Sequence, residues 1–337
     1  MLVSVSISAY NEENYLPAIF ESLVHQTYPH KQIEIVLINA MSTDGTRRLM
    51  NEFQENYQHE FYAIKIFDNP KKTLNTGLNL GFKHSDGDCY LKIDAHSHIP
   101  ENFIESNVAV IQTGERVCGG RRPTIVETDD ELAKTLHIVE ESALGSSIAN
   151  YRKGDENRYV DSVFQGMYHK DVIDKVGYFD EKLVRTEDNE FHYRIRKNGF
   201  KIWYDTSIES FQYIRPTYSK MLKQKYGNGY WIGLTSHVCR ECLSLFHFVP
   251  GIFVSTLLAT ILVAGVSTLP FFLLVSVYLL AIIGLSIFEI STHPFHITRL
   301  LIPAMMISVH FSYGIGTIRG WIEGFWWKKT YDSINEE

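Results

Sequence analysis

Every second residue is apolar in "LVSVSIS" (2–8), the two-residue period of a strand. Leu16, Ile19, Phe20 and Leu23 then recur at helical spacing. Asn11 or Asn14 is placed to cap that helix, and Pro17 falls in its first turn, where proline is tolerated. The run "IEIVLIN" (33–39) predicts a second strand, and "STDGT" turns the chain into a helix over Thr46–Glu55. "FYAIKIF" (61–67) is a third strand, followed by a helix over Leu74–His84, and "CYLKI" (89–93) is a fourth. Four strands interleaved with helices predict a parallel sheet covered on both faces.

The pattern is more mixed over 100–241. "RVCGGRRPT" (116–124) reads as a strand entering a basic loop, and residues 160–183 as a strand, a turn and a short helix. Residues 185–205 read as a helix with an acidic start and a basic end, matching its dipole. Asn198-Gly199 ends that helix and "KIWYD" follows as a strand.

From Leu243 to Phe288 there is no Asp, Glu, Lys or Arg. A membrane span needs about 20 such residues, so two spans fit, over 245–264 and 270–288. A third apolar run, 300–318, is weaker because it holds Ser308, His310, Ser312 and Tyr313. Lys220, Lys223, Lys225 and Arg240 precede the first span and put that side in the cytoplasm. Arg319, Lys328 and Lys329 follow the third run, so three full crossings would place those charges outside; a re-entrant or interfacial third segment would not. The cluster Trp321, Phe325, Trp326 and Trp327 suits a membrane interface in either case.

Composition narrows the class. Apolar residues make up 45% of 337, enough for a sizeable core, and a net charge of −7 argues against a nucleic-acid partner. Four scattered cysteines suit a reducing compartment. "MLVSVSISAYNEE" lacks a basic leader and reads as the first strand of a cytoplasmic domain.

In open α/β sheets, ligands bind beyond the carboxyl ends of the strands. Here those ends carry Ala9, Tyr10, Asn11 and Glu12, then Asn39 to Gly45, then Asp94, Ala95 and His96. Neither a dinucleotide fingerprint nor a P-loop is present. Asp94 and His96, two residues apart, could hold a divalent cation or simply form a polar turn; His98 is read as a neighbour of that pair. Asp44 is read as a helix cap before a ligand contact. Glu187, Asp188 and Glu190 crowd a helix start, where like charges raise a carboxyl pKa and the dipole lowers it. Arg121 and Arg122 could reach a phosphate or an acceptor, or be a solvated pair. His237, Cys239 and Cys242 form only a lone CxxC arrangement, a weak metal signal.

Taken in order, "SVSISAYNEE", "QTYP", "STDGT", "GDCYLKIDAHS", "VGYFDEKL" and "TEDNEFHYRIRKNG" resemble family 2 glycosyltransferases, in particular the bacterial exopolysaccharide branch with the succinoglycan-type transferases. The resemblance covers roughly residues 1–235. It implies an α/β GT-A fold, Rossmann-like, with a mostly parallel central sheet flanked by helices, ahead of the membrane helical segment. Residues 1–240 would be the catalytic domain, 1–98 its nucleotide-sugar half and 99–240 its acceptor half, with 241–337 as the anchor. An inverting displacement would move one sugar from a nucleotide-diphosphate sugar, usually a UDP-sugar, onto a lipid-linked glycan. Ala9, Tyr10, Glu12, Asn39 and Asp94 would bind the donor, Asp94 and His96 would hold Mn²⁺ or Mg²⁺, and Asp188 would be the catalytic base. Glu187, Arg121, Gln224 and Trp231 are weaker candidates for contact with acceptor or phosphate.

The chain departs from the family pattern twice. Asn39-Ala40 stands where an aspartate is usual, so a base contact there would be uncharged. DxH replaces DxD, and imidazole suits Mn²⁺ better than Mg²⁺. Transfer onto polyprenyl phosphate, or a catalytically weak scaffold role in an export complex, remain alternatives at this stage.

Overall fold

The computed structural model describes residues 1–126, 128–143, 145, 154–215 and 217–333. The elements run β1 (Val3–Ala9), α1 (Leu16–Val24), β2 (Ile33–Asn39), α2 (Thr46–Tyr57), β3 (Ala63–Asp68), α3 (Leu74–Lys83), β4 (Cys89–Lys92), β5 (Ser97–His98), α4 (Phe103–Gln112), β6 (Val117–Arg121), β7 (Thr124–Ile125) and α5 (Glu131–Glu141). They continue with β8 (Arg158–Val160), β9 (Phe164–His169), α6 (Lys170–Val176), α7 (Glu187–Lys197), β10 (Ile202–Glu209), β11 (Phe211–Tyr213), α8 (Tyr218–Thr235), α9 (Val249–Leu262), α10 (Leu269–Thr292) and α11 (Ile302–Ser333). Two compact units result: one from residues 1–123 and 150–213, the other from 124–149 and 214–337.

In the first unit eight strands lie in the order β3-β2-β1-β4-β9-β6-β10-β8. The expected parallel pairing holds from β3 through β4. Beyond β4 the sheet is mixed: β9 runs antiparallel to both β4 and β6, β10 is parallel to β6, and β8 is antiparallel to β10. The reason is connectivity. β9 follows a long excursion rather than a crossover helix, so nothing forces it to return in the parallel sense.

Two of the three serines of β1 do not face water, while Ser8 is partly exposed. Ser4 and Ser6 are fully buried, because α3 closes over that face of the strand. A Cβ at Gly77 would lie 2.3 Å from Ser8 Oγ, and one at Gly81 would lie 2.1 Å from Ser6 Oγ. Only a glycine stripe on α3 lets helix and strand approach so closely. The alternation that reads as half-exposed is therefore a boundary between two cores. Val3, Val5 and Ile7 pack with Leu91, Ile93 and α1, α2 and α4 residues on one face. Tyr90 and Tyr168 pack with Phe82 of α3 and Phe191 of α7 on the other.

The start of α1 also differs from expectation. Its N-cap is Tyr15, without a side-chain cap. Asn11 instead takes a left-handed conformation (φ 54°) and accepts the Thr43 N–H at 2.9 Å, tying the two loops at the sheet edge together.

In the second unit α8 and α11 interlock through small residues. A Cβ at Gly320 would lie 1.9 Å from the Tyr230 carbonyl oxygen, and one at Gly229 2.0 Å from that of Tyr313. Such close approach of two helix backbones is the small-residue packing common among membrane helices. Among the described residues three segments are long and apolar enough to cross a membrane: Leu245–Leu262, Leu269–Thr292 and Ile297–Asp332. The third is far longer than the apolar run predicts, because α11 keeps packing on α8 through its charged residues. Its polar residues find partners: Ser312 donates to the Leu222 carbonyl at 2.8 Å, and His310 pairs with the Tyr278 hydroxyl at 2.9 Å. Lys225 is not a free basic flank. Its ammonium is buried 2.7 Å from Glu140 Oε2.

Candidate active site

The strand registers bring the predicted edge together. Ala9 lies opposite Asn39, and Asn39 opposite Asp68, so β1, β2 and β3 end flush. Ser6 lies opposite Lys92, which carries Asp94 and His96 up to the same edge. Ala9 is buried, Tyr10 is 50% exposed, and Ala40 N–H donates to the Ala9 carbonyl at 2.8 Å. This loop is fixed by its backbone while the Tyr10 ring stands free to stack on a planar ligand.

Asn39 is buried and already engaged. Its carbonyl oxygen accepts the Ser42 N–H at 3.0 Å, and its amide donates to Asp68 Oδ1 at 2.8 Å. Asp68 also pairs with Arg47 at 2.6 Å. The sequence reading missed Asp68. This carboxylate stands one strand over from position 39, and the flush ending of β2 and β3 was the signal that could have found it. Asp44 is not the N-cap of α2, which is Gly45; it precedes the cap and accepts the Thr46 N–H at 3.0 Å and the Glu13 N–H at 3.3 Å.

Glu12 and His96 meet: Glu12 Oε1 is 3.4 Å from His96 Nδ1. The other ring nitrogen lies 3.3 Å from the Gln212 amide, and Tyr15 packs edge-on against the ring. His96 Nδ1 is buried and makes no hydrogen bond of good geometry. The Asp94 carboxylate has no ion-pair partner among the described residues, while its backbone carbonyl accepts from Ser97. An unengaged carboxylate and an orphaned imidazole nitrogen two residues apart fit a divalent cation that takes its remaining ligands from a bound diphosphate. Among the described residues no three His, Cys, Asp or Glu side chains gather closely enough to hold a metal by themselves. His98 turns away from this pair, to Ser22 Oγ at 3.3 Å.

Below this edge lies a contact that local pattern does not reveal. Alternation along β4 puts Tyr90 and Lys92 on the α7 face. There the Lys92 ammonium meets both oxygens of Asp188, at 2.9 and 3.0 Å. Lys92 is 2% exposed, whereas Asp188 is 24% exposed. Burial alone would push the lysine pKa down; the facing Asp188 carboxylate reverses this and holds it above its ordinary value. Glu187 is buried, and its Oε2 lacks a partner. Burial, reinforced by the Asp188 charge, pushes its carboxyl well up, which favours the protonated form. Behind the pair, His192 is fully buried between Ser162 Oγ (2.8 Å) and the Tyr168 hydroxyl (2.9 Å). Burial lowers its pKa to about 4, so it is a neutral imidazole. Glu190 belongs to the fold, bridged to Arg194 at 2.9 Å.

The basic pair splits. Arg121 ends β6 and lies 3.8 Å from Asp155 Oδ1. Arg122 is buried, its guanidinium 4.2 Å from the Phe164 ring, and is not the solvated residue a loop position suggests. Gln224 and Trp231 lie on α8 of the second unit, where Trp231 packs edge-on against Trp327. In the same unit His237 Nε2 bonds the Trp321 carbonyl at 2.8 Å, and Cys242 donates to the Cys239 carbonyl at 2.8 Å.

A sheet covered by helices on both faces, with carboxylates gathered at its carboxyl edge, is the arrangement of a GT-A glycosyltransferase. The mannosyltransferase PcManGT from Pyrobaculum calidifontis, solved with GDP-Man and Mn²⁺, shares this fold with a TM-score of 0.63 at 13% identity, over 94% of this chain and 86% of that one. The model of glycosyl transferase family 2 matches residues 4–177, just over half of the chain, and the chain belongs to that family. A Methanococcus voltae protein described as dolichyl N-acetyl-alpha-D-glucosaminyl phosphate 3-beta-D-2,3-diacetamido-2,3-dideoxy-beta-D-glucuronosyltransferase is 27% identical over 96% of this chain and 98% of its own length. Succinoglycan biosynthesis protein ExoA of Rhizobium meliloti is 24% identical over 67% of each chain.

Proposed function

We propose that this glycosyltransferase moves one sugar from a nucleotide-diphosphate sugar, with UDP-sugars the leading class, onto a lipid-linked glycan during assembly of a cell-surface polysaccharide. The observation that carries this is the pairing of two acidic stations on one unit: Asp94 with His96 at the strand edge, and Asp188 at the start of α7. The full-length match to a relative named for a dolichyl-linked acceptor supports the lipid carrier, and so do three helices apolar enough to cross a membrane. A carrier lipid would present its headgroup at the membrane surface, with the catalytic unit on the cytoplasmic side.

In this reading Tyr10 stacks on the nucleobase, while Asn39 and Asp68 border it. Asp94 and His96 would hold a divalent cation, Mn²⁺ or Mg²⁺, which when bound neutralises charge on the leaving diphosphate. The acceptor hydroxyl oxygen attacks the anomeric carbon from the face opposite the diphosphate. The bond from that carbon to the phosphate oxygen breaks, its electron pair leaves with the nucleotide, and configuration inverts. The hydroxyl proton passes to the Asp188 carboxylate, which serves as general base.

Calorimetry of UDP binding to the full chain in detergent, with and without Mn²⁺, tests the donor site. Binding that strengthens with Mn²⁺ and is lost in Asp94→Ala is the expected result. Equal binding with and without Mn²⁺ in both proteins would remove the cation from the reading.

A further inference from the structure

We infer that Lys92 is a positioning residue for the transfer reaction: seated on both oxygens of Asp188, its ammonium fixes the plane of the base and commits Asp188, not its neighbour Glu187, to take the proton. This rests on the reading of Asp188 as base given above.

The geometry is specific. Lys92 Nζ lies 2.9 and 3.0 Å from the two carboxylate oxygens. The ammonium is confined by aromatic rings, with the Phe164 centroid at 6.0 Å and the Phe179 centroid at 5.8 Å. Its backbone is set in the sheet by the pairing of β4 with β1. A charge held by strand and rings cannot follow Asp188 if the carboxylate swings; it holds the carboxylate still. A carboxylate offers about four lone-pair directions. Lys92 engages one side, and the partial exposure of Asp188 leaves the other open to a hydroxyl.

Glu187 sharpens the point. It is adjacent in sequence and could compete as base, yet it is buried with an unpartnered Oε2. The fixed cation is aimed at both oxygens of Asp188 and at neither oxygen of Glu187. The two ends of the Lys92–Asp188 bridge differ in access to water. The carboxylate end stays reachable.

The experiment compares Lys92→Met, Lys92→Gln, Lys92→Arg and Asp188→Asn in the full chain in detergent. Initial rates are measured with UDP-glucuronate, UDP-glucose and UDP-N-acetylglucosamine as donors and polyprenyl-phosphate-linked N-acetylglucosamine as acceptor, alongside UDP binding and thermal unfolding. Misplacing a reacting group by about 1 Å can cost about 10²-fold. Lys92→Met and Lys92→Gln should therefore lower kcat by about that factor, with donor KM and UDP affinity within about threefold of the parent. Lys92→Arg, which keeps the charge and a bidentate fork, should recover about tenfold of the loss. The inference is overturned if the uncharged variants keep kcat within threefold while Asp188→Asn is inactive. It is also overturned if Lys92→Arg is no better than Lys92→Met, or if kcat, UDP binding and melting fall together in Lys92→Gln, either of which marks a structural bridge. Full activity in Asp188→Asn would instead remove the base assignment itself, and the role of Lys92 with it.

Discussion

Each unit of this protein buries a lysine against a carboxylate, and the two pairs differ in one respect. In the first unit Lys92 is 2% exposed but Asp188 is 24% exposed. In the helical unit Lys225 and Glu140 are 4% and 12% exposed, 2.7 Å apart. The closed pair can do little but join α8 to α5. The half-open pair holds its carboxylate at the start of α7 with one side still open to solvent. Burial of a charge is costly in both places; only where one partner keeps contact with solvent does that cost leave a group free for chemistry.

The largest effect should come from the open pair. On the proposed assignment Asp188→Asn keeps the shape of the side chain and removes the base, so transfer should fall by about 10²–10⁴-fold, well beyond what melting loses by leaving the buried Lys92 ammonium without its counter-charge. Single-turnover transfer assays beside melting curves check this, and an active, stable variant would equate the two pairs. The closed pair should respond in the opposite way. Lys225→Met removes the ammonium that faces Glu140 in a buried site and should cost about 3–5 kcal/mol of stability. Lys225→Met with Glu140→Leu should regain most of it, because a buried ion pair and an apolar pair are of similar worth. Denaturant titration in detergent compares the two; a single variant as stable as the parent would show that Lys225 is not caged.

Close packing gives a smaller effect. Gly320→Ala drives a methyl into the Tyr230 carbonyl of α8, and overpacking of this kind costs about 1–3 kcal/mol. Gly265→Ala, where nothing lies within 4 Å, is the control that should change melting little. The smallest effect is the pH response of Glu187. Its folded pKa is raised above the unfolded value by burial and by Asp188. The folded state thus holds a proton that the unfolded chain gives up, and stability falls as pH rises from the ordinary glutamate range through the raised value. Glu187→Gln should flatten the stability profile across that window, and an unchanged profile would place the proton elsewhere.

Much of the first half was legible because each element there answers to a local period. The second strand matches its predicted bounds, 33–39, residue for residue, and α3 begins at the predicted Leu74. The edge residues Ala9, Asn39 and Asp94 could be grouped because parallel strands end on one side. Less was legible after residue 100. α4 was not foreseen, and β9 entered the sheet antiparallel, since strand direction depends on the path of the preceding loop rather than on composition. Arg122, read either as a phosphate or acceptor contact or as half of a solvated pair, is buried over the Phe164 ring, which no property of "GGRRPT" announces.

The sequence by itself determined the element periods, the charge-free stretch that makes the C-terminal helices apolar, and the order of motifs that marks the family. These depend on neighbours a few residues apart, and the chain writes them directly. Only the tertiary structure decided that serines of β1 meet the glycines of α3, that Asp68 stands against Asn39, and that Lys92 meets Asp188 across 96 positions of chain. A strand alternates whatever covers it, and a lysine reads as solvent-facing until a helix from elsewhere closes over it. Burial and pairing are properties of surfaces brought together by folding, so they enter only when the sheet has been assembled and both its faces are covered.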